Sequence, residues 1–408
     1  DLELRFIKMK RALFLLALVW ALPADARSLT PVAPESVGLS SERLALIGAT
    51  LQAGVDAGEI PGAVVLVARR GGVAYYEAFG YRDKATGDAM RKDAIFRIYS
   101  MTKPIVSVAA MTLHEEAKLY LSQPISVHLP AFKGMRVGPH FEPAARAITV
   151  QDLLRHTSGL TYAFIGSGAI KNLYKQAGMA EFELDMSIAE YAVRMAELPL
   201  LYQPGTVWDY GRSTDVLGAL IEAVSGTTLD AYMRERVLVP LGMSDSGFWV
   251  PESERHRVAE PLSDTLIDIT APPAMLAGGH GIVSTVMDYA RFCQMMLEEG
   301  SLDGVRILGS ETVAYMTADH LGDINRDGTV YLPGPGYGFG LGFAVRTHAG
   351  RSRWPGSVGE YFWGGYAGTY FWIDPTKEMI VVYMMQSVKQ RGHYRMTLRN
   401  LVNQAIMD

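Results

Sequence analysis

The stretch Ile98-Tyr99-Ser100-Met101-Thr102-Lys103-Pro104 sets a serine and a lysine three residues apart at the mouth of a predicted helix over 101–118. At a spacing of i, i+3 the Ser100 hydroxyl and the Lys103 amine share one helix face, one turn apart, and can touch. Pro104 fits there because the first helical turn tolerates a residue without an N–H. A serine hydroxyl becomes a nucleophile when a neighbouring base takes its proton. A lysine can be that base, or help one, when burial or a nearby cation lowers its pKa. The free N–H groups and the dipole at the helix start favour the oxyanion formed when an acyl carbonyl is attacked. A four-residue pattern recurs by chance in a long chain, so its context decides what it means.

The context begins with the totals. The 408 residues are 49% hydrophobic and 20% charged, which suits a globular chain with a sizeable core. The formal charge is −5 and there is no Lys/Arg tract, so nothing suggests nucleic acid as a partner. The one cysteine, Cys293, excludes an intramolecular disulfide and any Cys cluster for zinc or iron–sulfur. It sits in an amphipathic helical pattern and reads as a buried apolar filler. Met9-Lys10-Arg11, the apolar run 12–22 and Ala24-Asp25-Ala26 read as a signal peptide, so export to the periplasm or medium is expected. The apolar run is too short for a stable membrane span of roughly 20 residues. Residues 1–8 precede Met9 and are read as upstream read-through, so 1–26 are excluded from the fold.

Working outward, a helix is expected over 41–57, with Leu44, Ile47, Leu51 and Val55 on one face and a serine cap. Residues 62–68 and 73–80, parted by Arg69-Arg70-Gly71-Gly72, predict a hairpin. From 119 to 295 helical periodicity and turn residues dominate, including a helix that Ser213 or Thr214 would cap and Gly226 would close. Strands return over 338–347, 361–373 and 379–386, and a helix over 391–407 follows. The expected fold class is α/β (α+β). An antiparallel sheet, flanked by N- and C-terminal helices, is built from 27–118 and 296–408, and a mainly helical lobe, 119–295, is inserted. A cleft forms where such lobes meet.

Ser100, Lys103 and Tyr210 fall at element boundaries facing that cleft. A lysine ammonium beside a tyrosine favours the phenolate, which can then take the Ser100 proton. Trp363-Gly364-Gly365-Tyr366 places two glycines in a predicted strand, where they weaken packing unless something approaches the backbone closely; a bulge at a sheet bend is the other explanation. The Tyr366 N–H could be a second oxyanion donor opposite that of Ser100. Competing machinery is missing from the sequence: there is no Gly-x-Ser-x-Gly and no His-Glu-x-x-His. Asp323–Gly328 mimics the start of a calcium loop, but position twelve is Gly334, and a polar surface turn is expected instead. No metal or organic cofactor is called for.

With these residues in hand the chain resembles the serine β-lactamase and penicillin-binding-protein superfamily, in particular the class C-like serine esterases, the family VIII carboxylesterases. The motifs are Ser100-Met101-Thr102-Lys103, Leu153-Leu154-Arg155-His156-Thr157-Ser158-Gly159-Leu160, Tyr210 with Asp215-Val216-Leu217-Gly218, Gly278-Gly279-His280-Gly281, and Trp363-Gly364-Gly365 before Gly368-Thr369. Two departures from the β-lactamase pattern are those of the esterase branch. Tyr210-Gly211-Arg212 stands for Tyr-x-Asn, and Trp363-Gly364-Gly365 for Lys-Thr-Gly. The resemblance implies a β-lactamase/transpeptidase-like fold and hydrolysis of short-chain carboxylic esters through an acyl-enzyme on Ser100, with weak β-lactam turnover alongside. It also implies that Trp363, Gly364 and Gly365 shape the substrate pocket, that Arg212 and His348 are wall residues, and that His156 fixes a turn. The small-molecule ester is the only partner implied. The alternatives are a β-lactamase or D-alanyl-D-alanine peptidase, and a non-catalytic peptidoglycan-binding relative.

Overall fold

The computed structural model describes residues 29–408; the leader over 9–26 lies outside the described residues. The first helix, α1 (Ser41–Asp56), starts at Ser40, whose hydroxyl accepts the Arg43 N–H. Strands β1 (Gly62–Arg69) and β2 (Gly72–Asp83) form the expected hairpin. After a single 3₁₀ turn, Tyr99–Met101, comes α2 (Thr102–Glu115). This helix is buried at every position from Thr102 to Leu113, as an all-round apolar helix must be. Ser100 stands half-buried at its head.

The inserted region contributes α3 (Val150–Leu154) and α4 (Ser213–Ser225), and α4 packs along α2. The chain then forms α5 (Val286–Leu297), β3 (Tyr337–Phe339), β4 (Ala344–Arg346), β5 (Tyr361–Gly364), β6 (Tyr370–Asp374), β7 (Met379–Met385) and α6 (Arg391–Asn403). One sheet holds β2-β1-β7-β6-β5-β4-β3 in that order, all neighbours antiparallel. Its two halves come from opposite ends of the chain and meet at the β1–β7 pair, where every residue of both strands is buried. Adjacent strand residues point to opposite faces: Tyr370 bonds Arg399 of α6, while Phe371 meets Tyr289 of α5 at 5.0 Å between ring centroids. Helices therefore cover both faces.

Several elements differ from the sequence expectation. The segments 338–347 and 361–373 each contain two strands and a turn. In both, glycines at the bend (Gly340 to Gly342, and Gly364, Gly365 and Gly368) let the backbone fold where an apolar run reads as continuous. The helix α5, assigned by periodicity to the helical insertion, lies on the sheet with Cys293 buried beneath it. Amphipathic spacing shows that a helix has a buried face, not which lobe covers it. Helix α4 has no side-chain cap; Ser213 instead hydrogen-bonds Ser158 at 2.8 Å.

Candidate active site

The turn carrying Ser100 is held from several sides. Tyr99 adopts φ 45°, a left-handed conformation that costs an L residue on the order of 1–2 kcal/mol. Its hydroxyl accepts the Ile267 N–H at 3.1 Å, and its ring packs 5.5 Å from that of Tyr366. The Tyr289 hydroxyl donates to Met101 O at 2.9 Å, and Thr102 Oγ1 accepts the Ile282 N–H at 3.1 Å.

One turn on, Lys103 is 1% exposed. Its Nζ donates to Ser100 Oγ at 3.3 Å, Tyr162 OH at 3.1 Å and Gly279 O at 2.7 Å, and lies 4.7 Å from the Tyr210 ring centre. Burial works against its charge, but Tyr162, Tyr210 and Asp215 outweigh that and hold the ammonium well above the usual lysine range.

Tyr210 and Tyr162 flank this ammonium, their ring centroids 5.3 Å apart. The Trp363 indole N–H donates to Tyr210 OH at 3.2 Å. Gly211, following Tyr210, presses on Leu160 O so closely that a Cβ there would collide with it. Burial raises the Tyr162 phenol, although Lys103 pulls the other way. Sequence reasoning missed Tyr162; its signal was its place two residues beyond the His156–Leu160 motif. That motif is scaffolding. Asp152, fully buried, binds Arg146, Arg155 and Thr157, and the neutral ring of His156 packs 4.9 Å from Tyr210. Burial, with Lys103 close by, keeps His156 well below the usual histidine range.

The Trp363–Tyr366 segment forms the opposite wall. Gly365 abuts Ile98 O, leaving no room for a Cβ, and Thr369 Oγ1 donates to the same oxygen at 3.2 Å. The turn after β5 is thereby clamped to the turn bearing Ser100. The Tyr366 N–H has no partner among the described residues, and the Ser100 N–H lies in a first helical turn, whose donors have no carbonyl behind them. Both are free to face an oxyanion.

Ser100, Tyr162, Tyr210, Trp363, Gly365 and Tyr366 all line one cavity of about 760 Å³. Two expected wall residues do not. Arg212 is fully buried behind the wall, donating to the carbonyls of Met179, Ala180 and Glu181, with Asp215 at 3.6 Å. It holds the Ala180–Glu181 lining in place because its long side chain passes beneath it. His348 lies exposed beyond β4, bonded to Thr347 and Gly336.

The beta-lactamase family model matches residues 47–404, nearly the whole described chain. The chain belongs to the beta-lactamase family. Within it, the chain is 37% identical over 354 residues to the uncharacterized protein MT1414 of Mycobacterium tuberculosis, covering 81% of this chain and 87% of that one. It is 32% identical to the esterase EstB of Burkholderia gladioli, covering 73% and 81%. Among solved structures of the beta-lactamase fold, EstCE1, a hydrolase with promiscuous acyltransferase activity, superposes with a TM-score of 0.77 at 27% identity, covering 90% of this chain and 99% of that one.

Proposed function

We propose that this protein is a serine carboxylesterase hydrolysing short-chain carboxylic esters through an acyl-enzyme on Ser100, in the class C-like esterase branch, family VIII. The observation that carries the reading is the contact of Lys103 with Ser100 Oγ beside two tyrosines in one cavity. The base is assigned to Tyr210, whose ring centre lies 4.7 Å from the Lys103 Nζ that also donates to Ser100 Oγ. Ser100 Oγ attacks the ester carbonyl as Tyr210 takes its proton, and the carbonyl oxygen becomes an oxyanion between the Ser100 and Tyr366 amides. The C–O bond then breaks, and Tyr210 returns the proton to the departing alcohol. A water attacks the acyl-enzyme by the same route in reverse, giving the acid and restoring Ser100.

Esterase names among relatives above 30% identity support this reading. Trp363, where a β-lactamase has the lysine of Lys-Thr-Gly, favours esters over β-lactams. The amino-terminal leader pattern goes with an exported enzyme.

The test is turnover of purified protein on p-nitrophenyl butyrate and a chromogenic cephalosporin in parallel, with mass spectrometry of trapped adduct. Fast ester turnover with acyl mass on the Ser100 peptide supports the esterase. Comparable cephalosporin rates move the protein to the lactamase branch, and no adduct on Ser100 overturns the reading.

A further inference from the structure

Arg391, Arg395 and Arg399 stand four residues apart along one face of α6. The charge of Arg399 is met by Glu360, 3.0 Å away, which also faces Arg346 at 3.5 Å. The other two line the Ser100 cavity, and neither has an ion pair with any described residue. Arg391 Nη1 donates to Tyr366 O at 3.1 Å and its guanidinium lies 4.9 Å from the Tyr366 ring centre. Arg395 Nη2 donates to Gly365 O and Thr369 O, while its Nε is sealed from solvent without a partner.

This placement is electrostatically unfavourable by itself. Like charges four apart on a helix repel, and a cation in the first turn opposes the helix dipole; Arg391 is the first residue of α6, whose first turn has no acidic side chain. Against these, the lining provides one carboxylate, Glu181, which is exposed. Burial, with Arg391 close by, pulls Arg395 down to about 10, so it remains a cation at neutral pH. Elsewhere the buried arginines have been given anions: Arg69 with Asp408, Arg97 with Glu260, Arg346 and Arg399 with Glu360. A guanidinium left unneutralised beside a low-dielectric cavity gains most from an anion that arrives with the ligand, and its planar fork suits a carboxylate.

We infer that the cavity takes esters that carry a carboxylate, which Arg391 and Arg395 bind while the ester carbonyl lies at Ser100. The inference rests on the esterase reading for its chemistry but not for its binding. Both arginines hold carbonyls of the turn that bears Tyr366, so the anion is recognised on the oxyanion side of the cavity.

The experiment compares charged and neutral esters of matched size. For a carboxylate on the alcohol portion the pair is 4-acetoxybenzoate and its methyl ester; for one on the acyl portion it is 4-nitrophenyl hydrogen succinate and 4-nitrophenyl butyrate. The native protein is expected to favour the anion in one pair by about tenfold in kcat/KM, and Arg391→Gln to remove about that factor from the ratio. Whichever pair responds identifies the end that carries the charge. Calorimetric binding of 4-acetoxybenzoate and of hydrogen succinate to Ser100→Ala, with and without Arg391→Gln, reads the subsite without turnover. Arg391 is chosen because it holds one carbonyl of that turn where Arg395 holds two. No anion preference in either pair, or a ratio and an affinity that Arg391→Gln leaves unchanged, overturns the inference. Carboxylate binding that depends on Arg391 with no ester turnover at all overturns the esterase reading alone.

Discussion

Asp215 and Lys103 are joined through the backbone of a single residue: the Asp215 carboxylate accepts the Gly279 N–H at 2.8 Å, and the Gly279 carbonyl accepts the Lys103 Nζ–H at 2.7 Å. The Gly278-Gly279-His280-Gly281 motif thus has a mechanical meaning. A Cβ on Gly279 would lie 2.8 Å from the carboxylate, so only glycine lets the backbone offer its N–H to one partner and its carbonyl to the other. The same carboxylate faces Arg212 at 3.6 Å. In Asp215→Asn the acceptor for Gly279 survives but the charge does not, leaving Arg212 and Lys103 without their buried counter-ion. Breaking a buried pair costs about 3–5 kcal/mol. Thermal unfolding should show a large loss of stability, and kcat on p-nitrophenyl butyrate should fall about tenfold. Unchanged stability would mean that the carboxylate is not the counter-ion of this cluster.

Two tyrosines flank one ammonium, and substitution separates their roles. Tyr210→Phe removes the assigned proton acceptor and should lower kcat by about 10²–10⁴ with little change in KM, the range for general acid–base groups. Tyr162→Phe removes one of three Lys103 acceptors while Gly279 O and Ser100 Oγ remain. A loss of about tenfold is expected there, in line with one hydrogen bond. The reverse order in steady-state kinetics on p-nitrophenyl butyrate would make Tyr162 the base.

The legible part of this site was the part that lies close together in sequence. Ser100 and Lys103 are a local pair, and a helix geometry known in advance brings them within reach. Tyr210 could be proposed from its loop position, and the hairpin of β1 and β2 from alternation and a glycine turn. Arg212 was misplaced because a charged residue beside Tyr210 looks like a wall residue until its carbonyl partners, more than thirty positions earlier, are seen. His348 was misplaced for a similar reason: its distance from the cavity depends on how β4 pairs with β3 and β5. Tyr99 offered no local cue, since nothing in its neighbours announces a positive φ.

The two glycines after Trp363 should respond differently to alanine. At Gly365 the new methyl meets Ile98 O, a backbone atom of the turn that carries Ser100, and neither side can yield without separating the two turns. Overpacking of this kind costs about 1–3 kcal/mol, and it displaces the Tyr366 N–H, so both melting temperature and kcat should drop. At Gly364 the nearest atoms belong to two side chains, the Arg395 guanidinium at 2.8 Å and the Tyr370 ring at 3.0 Å, rather than to the backbone of the turn that carries Ser100. Gly364→Ala should keep more of its stability and its turnover of a neutral ester than Gly365→Ala does. Equal loss in both variants would show that the clamp on Ile98 is not what makes Gly365 necessary.

His280 makes the acid limit of the fold measurable. Its Nε2–H donates to Phe182 O at 2.8 Å, and its Nδ1 makes no hydrogen bond but faces the Asp215 carboxylate at 3.6 Å. It is 2% exposed, and burial, against the pull of Asp215, brings it down to about 4. The unfolded chain has a histidine of about 6.5, so between these values it binds the proton that the folded chain refuses. Stability is then complete above pH 6.5 and lost as pH falls toward 4, by about 2 kcal/mol between pH 7 and pH 5 and about 3 by pH 4. Asp288, raised to about 6 by burial, has the opposite sense: its share is complete below about 3.8 and lost as pH rises through 6. A single stability curve mixes these with His156 and His320, which burial also lowers, but the difference between the native protein and His280→Gln contains only the His280 share. Glutamine can keep a donor for Phe182 O and does not titrate. Urea unfolding at pH 7 and pH 5 should therefore show the native protein's advantage over His280→Gln shrinking by about 2 kcal/mol. A gap independent of pH would mean that His280 stays neutral in both states or charged in both, and that its burial does not set the acid limit.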